Sequence, residues 1–197
     1  MTFPQPPLQP RPGLLGEWDK FVGPGQTRSE FWLLLIPAIT AAIAAPLYAA
    51  GANPAFSPFQ LILASLLAFD LVGGVLTNAS NTAKRWYHRP GQGWRQHMGF
   101  LALHFLQPLL VAIFFRAADL FFFLMVYGSL MLAGLVITRV RWHLQRPAAM
   151  LFYLGAILLN TYVLAPTRGL EWFLPVFTLK LLLAHLVKET PVSEEQG

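Results

Sequence analysis

Asp70 is the residue whose chemistry demands an account. It sits inside an apolar run spanning residues 58–78. A carboxylate near the middle of a bilayer costs at least ~2.5–3.5 kcal/mol on insertion scales, so such residues face the interior of a helix bundle and mark functional sites. At 3.6 residues per turn, Asp70, Gly74, Thr77 and Asn81 share one stripe, with Gly73 and Asn78 on its shoulders. His88 extends the stripe if the helix continues. A second stripe follows in the next run. His97 and His104 are two turns apart on one face, with Gln107 a shoulder away. Antiparallel alignment of the two runs puts Asp70 about 16 Å and His104 about 10 Å from the basic edge, one turn apart. The expected catalytic centre is therefore an Asp70–His104 hydrogen bond acting as proton relay, general base or half of a metal site. Asn78, Asn81, His88 and His97 are expected to line it for ligand binding.

The last apolar run adds Lys180 and His185. In an α-helix they lie about 140° apart, so only one can face a narrow site. Either Lys180 pairs with Asp70, or His185 joins Asp70 and His104; both alternatives stand at this stage. Residues 82–96 read as a loop dense in donors: Lys84, Arg85, His88, Arg89, Gln92 and Arg95, interleaved with Trp86, Tyr87 and Trp94. Interfacial aromatics beside bases suit topology setting and anchoring, or a phosphate or phospholipid headgroup.

The elements that must position these residues are six apolar runs, about 31–50, 58–78, 98–116, 119–138, 147–165 and 170–187. Each approaches the roughly 20 residues that cross a bilayer as a helix. None alternates strictly, which excludes barrel strands. The expected fold is all-α, a polytopic six-transmembrane-helix bundle. The tight junction at Arg116–Asp119 leaves a five-span alternative, with one long kinked helix there. Under the six-span count, eleven of the fourteen Lys and Arg residues fall on one side, leaving Arg116 and Arg168 opposite and Lys180 inside a span. The positive-inside rule then puts both termini in the cytoplasm of an inner-membrane protein. Residues 1–30, with six prolines, read as a flexible Pro-rich tail in which Leu14, Leu15, Trp18 and Phe21 rest on the membrane surface. Residues 31–188 form the membrane domain and 189–197 a polar tail. The start lacks the basic region, apolar core and cleavage site of a signal peptide.

Composition narrows the function. Hydrophobic residues make up 55% of the 197 and charged residues 12%, which excludes a soluble domain of this size. Cysteine is absent, which excludes thiolate metal sites and cysteine nucleophiles. The net charge of +5 belongs to short interfacial loops, so membrane lipids and not nucleic acid are the expected partners, with a homo-oligomer or larger membrane complex compatible. No P-loop, HExxH helix or GxSxG elbow occurs. Gly128-Ser129 with His185 and Trp94-Arg95 falls short of the rhomboid-protease pattern, because the second glycine is missing and the serine lies deeper than the histidine. No cofactor or metal is named by the residues, and a His104–His185 haem pair matches poorly in depth. The leading expectation is a buried Asp/Asn/His site serving an enzyme or binding protein for a lipid-like or small anionic ligand. A proton-coupled transporter or channel and a non-catalytic membrane subunit are the rivals, the first disfavoured because no polar stripe continues toward Arg116 or Arg168 in the outer half.

Overall fold

Capping chemistry starts each long helix where its sequence allows. The computed structural model describes residues 9–189, and every regular element among them is helical. A short α1 (Leu14–Val22) precedes α2 (Arg28–Ala52) and α3 (Pro58–Ala79). Thr27 and Ser57 open α2 and α3 with reciprocal bonds to Glu30 and Gln60, and Pro58 takes the first helical position. Next come α4 (Asn81–Tyr87), α5 (Trp94–Leu103), α6 (Leu106–Phe115) and α7 (Leu120–Arg139). Then α8 (Trp142–Leu158) continues as a π-helical turn, π1 (Leu159–Val163). Finally α9 (Phe173–Thr178) runs into a longer one, π2 (Leu179–His185).

Four stretches are long and apolar enough to cross a bilayer: Arg28–Ala52, Pro58–Ala79, Trp94–Phe115 and Leu120–Arg139. Their outward faces are oily. Leu33, Ile36, Ile43 and Leu47 on α2 and Ile62 and Leu66 on α3 are exposed, which suits hydrocarbon and not water. The last two apolar runs are not uniform spans. The first is interrupted by π1, and Phe173–His185 is apolar but shorter than the other four.

The chain runs back and forth. One end gathers Asn53, Phe56, Arg116, Asp119 and residues 166–168 around a common cleft, and Tyr48 there donates to Glu171. The other end gathers α1, α4, the start of α5 and the chain following π2. Trp86 Nε1 donates to the Lys20 carbonyl, Lys84 Nζ to the Val187 carbonyl, and Arg139 stacks over Trp94. The α9–π2 segment is the hub. Phe173, Leu174, Phe177, Leu181 and Leu182 are buried, and π2 packs on α3, α7 and α8.

Three expectations are corrected. The one long kinked helix across 116–119 that the five-span alternative needs is absent, because α6 ends at Phe115, Ala117 and Ala118 take left-handed φ of 52° and 61°, and Asp119 caps α7 through the Phe122 N–H; the span count itself stands at four candidate helices. Residues 82–96 are not all loop: Ser80, extended at ψ 147°, ends α3 and caps α4. That break removes exposed Asn81 from the Asp70 stripe. Nor are residues 9–30 a flexible tail. There α1 packs on α4, with Gly23 so close to the Thr82 carbonyl that a Cβ would lie 2.6 Å from its oxygen. The parts of both tails at 1–8 and 190–197 lie outside the described residues.

Candidate functional site

Asp70 lies on α3 at the border between its buried and outward faces. Both carboxylate oxygens accept from Lys180 Nζ at 2.8 Å, and Oδ2 also accepts from Gln107 Nε2 at 3.1 Å. Three helices thus converge on one carboxylate. Gly74, one turn along α3, makes this convergence possible, since a Cβ there would stand 2.2 Å from Lys180 Cε. The two partners are unequally covered. The Lys180 side chain is 5% exposed and that of Asp70 40%. The Gln107 side-chain oxygen is buried without a partner. The outward part of the Asp70 carboxylate is therefore the only open part of this polar group, called the seam below.

His104 does not bond Asp70, contrary to expectation. Its Nδ1 meets the Phe100 carbonyl at 2.8 Å, and since a carbonyl only accepts, the proton sits on Nδ1. The cause is local. Pro108 has no N–H for the His104 carbonyl, so the helix tightens between α5 and α6, with His104 N–H on Leu101 O and Phe105 N–H on Ala102 O. His104 stands at that break and turns back along its own helix.

A second polar group occupies the same end of the molecule. His97 Nδ1 and His185 Nε2 are 3.2 Å apart, and His88 and His97 stack with ring centroids 4.6 Å apart. Phe100 lies flat on His185 at 3.9 Å and 4.5 Å from the His104 ring. It therefore stands between those two histidines, and they cannot share an iron as a haem pair. Among the described residues no set of three or more His, Asp or Glu side chains is arranged to hold a metal ion.

The α-helical expectation that Lys180 and His185 cannot both face inward also fails. Both are buried, Lys180 on Asp70 and His185 on His97. In a π-helix the backbone bonds join residues five apart, so residues five apart stack on one side. The Leu186 N–H on Leu181 O closes that pattern.

The polar residues of α3 and α4 serve the end of π2. Its last carbonyls lack helical donors. His88 Nε2 donates to His185 O at 2.9 Å and Lys84 Nζ to Val187 O at 2.5 Å, while Asn78 Nδ2 reaches toward Lys180 O at 3.5 Å. Cations at a helix C-terminus also oppose its dipole. Burial, the foremost cause, pushes Lys84 down to about 8 and His88 down to about 4. The remaining bases are mostly stacked. Arg89 lies over Trp86 and donates to its carbonyl, and Arg95 flanks Trp94. Arg85 keeps a buried Nε with no partner.

Of the expected site residues, Asp70 and Lys180 meet in one place and His88, His97 and His185 in another, while His104 stands apart and Asn81 is exposed. Sequence reasoning missed Phe100 and Tyr87, whose ring edge meets His185 at 5.2 Å. Gly74, on the expected stripe, does admit a close neighbour, but that neighbour is Lys180 of π2 and not His104. No protein-family model, curated protein or solved structure matches the chain.

Proposed function

We propose that this chain is a multi-pass protein of the inner membrane that binds, or acts on, a lipid-like ligand at the Asp70–Lys180–Gln107 seam. Six passes, both termini and the histidine end in the cytoplasm are part of this reading. It rests on the back-and-forth course of the chain and on the crowding of bases at the end that holds α1 and α4. The observation that carries the binding site is the unequal burial of the pair. Lys180 neutralises Asp70 from inside, while the Asp70 side chain itself is 40% exposed on its outer side. A neutralised pair with free acceptor capacity favours a head that donates hydrogen bonds, a hydroxyl or an amine, and the unpartnered Gln107 oxygen offers a second acceptor. An anionic head gains nothing there, which moves the ligand class away from the small anion expected from the sequence.

The test is the lipid complement of protein purified in native nanodiscs, read by mass spectrometry. Wild-type protein should carry an amphiphile with a donor-bearing head that Asp70→Asn and Gln107→Leu lose. An identical complement in all three sinks the reading. A second reading, proton-coupled transport, has its own observation: three imidazoles, His88, His97 and His185, lie ring against ring at one end of the helices. Proton flux in liposomes that vanishes in His97→Gln would favour it.

A further inference from the structure

On the side of π2 away from the Asp70 seam, α3 and α8 stand apart and leave a trench of about 240 Å³. Its walls are Val75 and Ala79 on α3 and Met150 on α8, and its floor is Leu179, Leu183 and Ala184 of π2. At its basic end lie Lys84 and Arg146. Leu179 and Leu183 are half-buried positions of an otherwise buried segment, so the floor is open along its length.

The two bases are not equivalent. Arg146 is exposed, while Lys84 is only 7% exposed. The Lys84 ammonium has three donors and gives one to Val187 O; among the described residues no other hydrogen bond or ion pair engages it. A buried ammonium with spare donors is costly unless an anion completes its shell. Among the described residues the negative charge beside it is Glu189, whose carboxylate stands 3.9 Å from Arg146 at the trench mouth. The arrangement therefore combines an apolar channel with an end that holds two cations and one carboxylate, Glu189, and so keeps a net positive charge. That is the shape and charge of a phospholipid, not of a free ion, because a free ion has no use for the channel.

We propose that this trench seats one anionic phospholipid, its phosphate between Lys84 and Arg146 and an acyl chain along Leu179 and Leu183. The site is separate from the Asp70 seam and takes a ligand of opposite preference.

Detergent-purified full-length chain, offered phosphatidylglycerol, phosphatidylcholine or inorganic phosphate, tests it by native mass spectrometry. Wild type should retain one phosphatidylglycerol and not phosphatidylcholine, and millimolar phosphate should not displace it. Arg146→Gln should weaken retention about fivefold, the share of one interfacial base. Leu183→Trp fills the trench with both bases intact and should abolish retention. Both substitutions sit at solvent- or lipid-facing positions, and unchanged thermal unfolding will show that the fold survives. Equal retention of phosphatidylcholine, or wild-type retention by both variants, overturns the proposal. Displacement by inorganic phosphate overturns the acyl-chain part and with it the lipid assignment.

Discussion

Among the described residues two ion pairs have a buried cation, Arg116–Asp119 and Lys180–Asp70, and they are built to different ends. Arg116, its side chain 8% exposed, donates from all three of its nitrogens, through four of its five N–H groups. Its Nε and Nη2 hold Asp119, and Nη1 holds Ala165 O and Thr167 Oγ1. Its guanidinium also lies over the Phe122 ring. That knot ties the left-handed turn at Ala117–Ala118 to the 164–168 segment, with all three nitrogens engaged. The Lys180–Asp70 pair joins residues 110 positions apart, leaves the carboxylate 40% exposed and abuts an orphaned Gln107 oxygen. A saturated pair explains itself as architecture. An unsaturated one, held in oil at the cost of desolvating a lysine, keeps capacity for a further partner.

Breaking both pairs separates these roles. Lys180→Met leaves a carboxylate in the bilayer with Gln107 as its one remaining side-chain donor, and should destabilise by about 3–5 kcal/mol. Arg116→Met should cost less, about 1.5–3 kcal/mol, because Asp119 keeps the Phe122 N–H and lies at the end of the bundle. Unfolding in mixed micelles measures both. The double variant Asp70→Leu with Lys180→Met should recover most of the loss, since apolar replacement of a whole buried pair is often neutral. A larger loss for Arg116→Met than for Lys180→Met would invert the comparison.

Gly74→Ala sharpens it next. The added methyl would collide with a lysine stem that the ion pair pins in place. The cost should be about 1–3 kcal/mol, as for overpacking in a close-packed core, and ligand retention at the seam should fall with it. Gly128→Ala, where nothing lies within 4 Å of the new Cβ, is the control and should be near neutral in the same unfolding assay.

The helical class, the extent of α3 and the aspartate within it were legible because hydropathy and a lone acid in an apolar run are local signals. The partner of Asp70 was not. Its choice between His104 and Lys180 turned on two departures from α-geometry that residue spacing assumes away. One is the Pro108 break, which turns His104 back on Phe100. The other is π2, which lets Lys180 and His185 face inward together. Gly74 showed where a helix would come close, but not which side chain would fill the gap. The roles of Lys84 and His88 stayed hidden for the same reason. Both cap carbonyls of a segment about a hundred residues away, and no periodicity within α4 reports that.

Gln107→Leu asks whether the unsaturated pair is kept for a ligand. It removes one donor to Asp70 together with the orphaned oxygen, so the two stability terms oppose one another and the net change should stay within about 1 kcal/mol. Seam-ligand retention should nevertheless drop. If retention is unchanged, the Gln107 oxygen is merely an unfilled acceptor and the contrast with the Arg116 knot weakens.

The smallest expected effect concerns acid. His88 titrates at 6.5 in an unfolded chain and is held down to about 4 in the fold, chiefly by burial. Between those values the unfolded chain binds a proton at this ring that the folded chain refuses. Its contribution is therefore fully present above about pH 6.5, shrinks as pH falls through that window, and changes no further below about pH 4. His88→Gln keeps an amide donor for the His185 carbonyl and removes the titration, so the slope of unfolding midpoint against pH should flatten across this interval. The opposite end of the molecule offers no such slope across this interval, because the five histidines all lie outside its cleft and Asp119, held below its ordinary value chiefly by the Phe122 N–H, is ionised throughout it. An Arg116→Met protein should accordingly be less stable at every pH yet retain the wild-type acid slope. A slope that Arg116→Met flattens and His88→Gln leaves intact would place the acid sensitivity at the wrong end.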